Sequence, residues 1–188
     1  MGLNDLEKLH AAVEWLLRQD SFSRAVERLR VELSKSQEPF VWTTVALDTV
    51  RVALPTPIKS CWIFLLRRDV PSGSHYHPNS VQHMVALNGR GRSSVGGDRR
   101  TMILFGSARH SIEGEWHVIG EGVPHEFFPE GEDMAVVSFH TCAADELEEI
   151  ASGSGARRIY EPPSNDRRPR VTSEPGASAD GARDAGSS

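Results

Sequence analysis

GSHYHPNSVQHMVALNG, residues 73–89, decides how this chain is read. His75 and His77 are two residues apart, and on a β-strand residues i and i+2 point to the same face. Two imidazoles on one face of a strand can hold one cation between them. Pro78, Asn79 and Ser80 then make a turn. The chain re-enters a strand at Val81, which places Gln82 near the pair, and Gly89 closes that strand. A second stretch, GEWHVIGEGVPHEFFPEG at 114–131, has Gly120 and Gly122 marking a tight turn before Pro124. His125 then opens a new strand and offers a third imidazole. Three neutral His nitrogens with open positions suit Fe(II), Mn(II), Ni(II), Cu(II) or Zn(II). The open positions leave room for a substrate or dioxygen.

Outward from these stretches the texture is that of a β protein. From Pro39 onward, short runs rich in Val, Ile, Phe and Trp alternate with Pro, Gly, Ser and Asn clusters. The runs fall at 40–46, 49–54, 60–67, 81–87, 92–95, 101–105, 115–119 and 134–140. Short strands separated by turn signals predict a sandwich or barrel rather than βαβ units. Alternation in WHVIG and MAVVSFH predicts half-buried strands. Upstream, Leu3, Leu6, Leu9, Val13, Leu16 and Leu17 recur at helical spacing, as do Phe22, Val26, Leu29 and Leu33. Helices over 3–18 and 21–35 are expected, packed against the outside of the β domain. AADELEEI, 143–150, reads as a short helical turn. Beyond about residue 162 almost nothing apolar remains, and such a segment cannot offset the entropy of ordering; a disordered tail is expected. No internal repeat is visible. The expected organisation is a helical segment over 1–38, one β-barrel domain over 39–150, and an extension with tail over 151–188.

Composition narrows the function. A net charge of −5 with no basic stripe argues against nucleic acid as a partner. The run Arg167, Arg168 and Arg170 reads as solvated tail. Two cysteines, Cys61 and Cys142, make no disulfide framework and no zinc pair. They read as small buried hydrophobes. No apolar stretch approaches the roughly 20 residues that span a bilayer, and the acidic N-terminus lacks the basic region of a signal peptide. A reducing, cytoplasmic setting, a small-molecule substrate and no membrane partner are expected.

The two histidine stretches together resemble the cupin family. Its first motif is His-x-His, three or four residues, Glu, six residues, Gly, and His75-x-His77, Gln82 and Gly89 fit that spacing. Its second is Gly, five residues, Pro-x-Gly, two residues, His, and Gly114, Gly120-x-Gly122 and His125 fit again, with Gly in place of Pro. The resemblance covers residues 45–142. It implies an all-β double-stranded β-helix, or jelly roll, here with two N-terminal helices, and a homodimer. It also implies a divalent metal, foremost Fe(II), held by His75, His77 and His125. Three positions depart from the pattern: Gln82 for the ligating Glu, Asp69 for a Gly, and Pro129 for an Asn. A neutral amide is a poor ligand for these cations, so a three-His site is expected, with Gln82 free to hydrogen-bond a substrate.

A weaker resemblance, to the thiol dioxygenases such as cysteine dioxygenase, rests on Ser138, His140 and Cys142 in VVSFHTC, where that group has Ser-x-His-x-Tyr. It implies a supporting role for His140 and a carboxylate clamp at Arg51, expected on the strand before Cys61. Cys142 in place of Tyr is the departure. His83 is expected to face away from Gln82, His117 to be a strand residue, and His10 and His110 to have no part in a site. Trp62, Phe64, Met84, Trp116 and Phe139 are expected to be packing. The resemblance implies a mononuclear Fe(II) dioxygenase acting on a small organic substrate through His75, His77, His125, Gln82 and either Arg51 or His140. The alternatives are a metal-dependent isomerase or lyase on a sugar or carboxylic acid, and a small-ligand-binding module without catalysis.

Overall fold

The structure, a computed structural model, describes residues 2–160. The tail expected to be disordered lies outside the described residues. Two helices, α1 (Leu3–Leu17) and α2 (Asp20–Lys35), precede two β-sheets. The five-stranded sheet runs β1 (Phe40–Val45), β2 (Ser60–Leu66), β9 (Met134–His140), β4 (Gln82–Ala86), β7 (His117–Ile119), in that spatial order. The six-stranded sheet runs β11 (Arg157–Ile159), β10 (Glu148–Ala151), β3 (His75–Tyr76), β8 (His125–Pro129), β5 (Gly91–Val95), β6 (Asp98–Thr101). A short α3 (Ile112–Glu115) leads into β7.

The period-2 rule sorts the residues of the first sheet. In β2, Cys61, Ile63 and Leu65 join one apolar cluster with Leu9, Leu16, Leu29 and Leu33 of the helices. Trp62, Phe64 and Leu66 join a second cluster between the sheets, with Phe127 of β8 and Tyr160. In β9, Ala135, Val137 and Phe139 face the helices, and Met134 and Val136 face inward. Both strands are therefore buried on both faces, and for β9 this replaces the half-burial expected from MAVVSFH, because α1 and α2 seal the outer face. Each fully buried Leu or Ile adds about 1.5–3 kcal/mol, which is what fixes the helices to the sheet.

Several elements differ from the sequence reading. The run 49–54 forms no strand: a 3₁₀ turn (Leu47–Thr49) and irregular chain lie there, and Val50 and Val52 pack in the apolar cluster with the helices. The strand expected over 101–105 sits earlier, at Asp98–Thr101, paired to β5 across a Gly96–Gly97 turn. AADELEEI does not form a helix. Its second half is β10, paired to β3 on one side and to β11 on the other. Gly89 has φ +88°, and a Cβ there would lie 3.0 Å from the Met134 Cα, so only glycine lets β4 turn beside the start of β9.

Candidate metal centre

Three neighbouring elements bring the histidines together. β3 is flanked by β8, with His75 directly opposite His125. Gly122, at φ +69°, turns the chain so that its N–H donates to the His77 carbonyl at 2.8 Å, and this delivers His125 to the start of β8. The ring centroids lie 4.3 Å apart for His75 and His125, and 5.3 Å apart for the other two pairs. All three residues are buried, and their ligand atoms lie within 4.8 Å of one another. That is close enough for one ion, with bonds of about 2.0–2.1 Å, to draw them together.

The orientation of the rings is what fits a cation. Each Nδ1 contacts a main-chain carbonyl: Gly73 at 2.8 Å for His75, Glu148 at 2.7 Å for His77, Val123 at 3.0 Å for His125. A carbonyl only accepts, so each Nδ1 carries the proton and each Nε2 keeps its lone pair. This outer hydrogen bond is the usual way a protein aims a ligating imidazole. The Nε2 of His125 is buried with no hydrogen-bond partner among the described residues; an unpaired buried acceptor is costly unless something occupies it. Burial pushes His77 down to about 4, and pushes His125 well below the ordinary imidazole value, with His75 beside it adding to the effect. Near neutral pH both rings are uncharged, as ligands must be.

Of the other expected site residues, Gln82 and His140 stand opposite each other in the β4–β9 register and face the space between the sheets. The Gln82 amide nitrogen donates to Ser138 Oγ at 3.0 Å, while its oxygen has no partner among the described residues. His140 has both ring nitrogens against hydroxyls, Ser138 at 2.9 Å and Ser80 at 3.2 Å, so neither is free to bind an ion. Its ring lies 5.3 Å from that of His77, and burial holds it well below the usual histidine range. Arg51 is not brought to the site. It is exposed on irregular chain, and its neighbours Val50 and Val52 pack in the cluster under the helices, on the other side of the five-stranded sheet. The cation near the histidines is Arg158, whose Nη1 is 3.5 Å from Glu149 Oε1.

A small chamber opens beside the imidazoles. Phe40, Phe64, Leu66, Met84, Phe127 and Val136 supply its apolar walls, and His75, His77, Gln82 and Tyr160 its polar points. Among the described residues, no Lys or Arg lines it. Phe64 and Met84, expected to be packing, are walls; Trp116 and Phe139 pack under the helices. Sequence reasoning missed Tyr160, which lines this chamber just after the β10–β11 hairpin, and Glu149 of β10, which stands behind it against Tyr160 and His75. The signal was the SGSG turn, 152–155, between two short strand-like runs.

No protein-family model matches the sequence, and no curated protein matches it. Solved structures do. Salicylate 1,2-dioxygenase from Pseudaminobacter salicylatoxidans superposes with a TM-score of 0.52 at 15% identity, over 72% of this chain and 38% of that one. A variant of that enzyme solved with gentisate gives 0.52 at 16%, over 72% and 37%. An oxalate oxidase with glycolate aligns more loosely, with a TM-score of 0.41 at 13% identity, over 57% and 53%. The chain thus spans well under half the length of the dioxygenase it superposes on. Paired sheets, histidines on adjacent strands and this superposition agree: the fold of the chain is that of a cupin.

Proposed function

We propose that this chain is a mononuclear, non-haem Fe(II) dioxygenase acting on a small organic substrate, with His75, His77 and His125 as the metal ligands. The observation that carries it is the common aim of three buried imidazoles, each with Nδ1 donated to a main-chain carbonyl and Nε2 left free. Fe(II) there would supply coordination positions open to a substrate oxygen and to dioxygen. The remaining groups bind and orient. Phe40, Phe64 and Phe127 form a dry wall that favours an apolar or aromatic substrate body. The free oxygen of Gln82 accepts a hydrogen bond from a substrate hydroxyl, and Ser138 and His140 hold that amide in place. With no Lys or Arg in the described lining, an acidic substrate group would be held by the ion rather than by a side-chain clamp.

The test is anaerobic loading with Fe(II), followed by oxygen uptake against thiols, diketones, flavonols and aromatic acids such as gentisate and salicylate. Uptake with one class, lost in His125→Ala, is expected; no uptake with any class counts against the reading. A metal-dependent isomerase or lyase is the second reading, favoured by the Tyr160 hydroxyl at the chamber and the buried Glu149 carboxylate hydrogen-bonded to it; tightly held Zn(II) in purified protein would support it. The homodimer and a domain over 39–150 remain proposals that light scattering and limited proteolysis test directly.

A further inference from the structure

One buried carboxylate stands beside the three histidines without belonging to either motif. Glu149 is 8% exposed and comes from β10. β10 pairs with β3 so that Ile150 faces Tyr76 and Ala151 faces His75; one residue further along, Glu149 stands on the side of the sheet that carries the imidazoles. Its Oε2 is 3.6 Å from His75 Nε2, the nitrogen left free once Nδ1 has donated to Gly73. The Tyr160 hydroxyl donates to that same oxygen, and Arg158 sits against the other. β10 also fixes His77, through the Glu148 carbonyl. Four groups around one point therefore depend on this hairpin.

Charge says what the carboxylate is for. Three neutral imidazoles around a divalent ion leave two positive charges uncompensated in a buried site, where unpaired charge is costly. The motif position that would hold an acid is Gln82, which is neutral and already committed to Ser138. We infer that Glu149 supplies the anionic donor of the metal site, from the C-terminal hairpin instead of from β4, with Tyr160 as the positioning residue that holds its carboxylate toward His75. The inference rests on the metal reading of the three histidines.

The experiment uses the full chain and Co(II) alone as probe, with affinity read by chelator competition and coordination by the visible absorption of bound Co(II). Glu149→Gln is expected to weaken Co(II) binding by more than about 100-fold, beyond the loss for groups that only support a ligand, and to change the absorption band. Tyr160→Phe should weaken binding about 10–100-fold. Gln82→Glu, added to Glu149→Gln, should recover part of the lost affinity by restoring the charge from β4, in the facing sheet. Wild-type affinity with an unchanged band in Glu149→Gln, while His125→Ala loses binding, overturns the inference and leaves the three-His site standing. Failure of the wild-type chain itself to bind Co(II) overturns both. If Glu149→Gln does not fold, Glu149→Asp is read by the same two criteria.

Discussion

The two faces of the five-stranded sheet are built by the same strands and behave as different materials. Toward the helices, β2, β4 and β9 show Ile63, Leu65, Val85, Val137 and Phe139, an apolar layer closed by α1 and α2. Toward the other sheet the alternate residues include Gln82, Ser138 and His140, joined by hydrogen bonds, with Gln82 lining the chamber. Gln82 and His83 are adjacent in sequence and lie on opposite sides of this divide. The lesson is that one residue of register separates a group that can touch a substrate from one that only fills space.

The sharpest way to break the comparison is to damage one face and measure both. Phe139→Ala, under the helices, should cost about 3–5 kcal/mol of stability in chemical denaturation, while the folded fraction keeps its divalent-metal affinity. His125→Ala should do the reverse, with metal affinity falling by more than about 100-fold, beyond the loss seen for groups that only support a ligand. Its metal-free thermal midpoint should fall by less than that of Phe139→Ala, since the ring gives up the single Nδ1 hydrogen bond to Val123 and its Nε2 has no partner among the described residues to lose. If Phe139→Ala weakens metal binding as much as His125→Ala does, the two faces are not separable.

A smaller effect comes from pH. Burial holds His83 at about 4, and burial with Arg100 beside it holds His117 at about 3. Both are neutral in the fold and take up protons in the unfolded chain below about 6.5, so stability is complete above that value. It is lost progressively as pH falls from about 6.5 toward 4 and then 3. Denaturation midpoints of the metal-free protein across that window check the sign. Smallest should be His83→Leu. His83 makes only a weak approach to the Phe139 main chain and no well-formed hydrogen bond among the described residues, so little is forfeited. The change should lie within about 1 kcal/mol at pH 7 and flatten the acid slope. A large loss would mean that the outer face is not an inert layer.

Much of this was legible in the sequence, for identifiable reasons. His75 and His77 announce a shared face because strand periodicity is rigid, and His125 follows a glycine turn whose spacing is equally fixed. The helices were legible from three-and-four spacing of leucines, and the opposite facing of His83 from simple alternation. What escaped were features that exist only through pairing. Residues 148–151 are rich in helix formers, and they become a strand because β3 offers an edge to them. Residues 49–54 look like a strand and form no ladder, staying irregular after a 3₁₀ turn. Arg51 was placed by its likeness to a clamp, but the neighbouring Val50 and Val52 anchor that stretch under the helices. Glu149 and Tyr160 lie outside both motifs and come beside His75 and the chamber only when the hairpin folds back.

The main-chain carbonyls of Gly73, Val123 and Glu148 that steer the three rings have a last consequence. Every residue type carries that oxygen, so the tethers survive substitution at those positions as long as the backbone keeps its path. The aromatic walls enjoy no such protection: exchanging Phe40 redraws the shape of the chamber while the three carbonyl tethers stay where they are. The outline of the hollow and the posture of its histidines are thus free to vary separately.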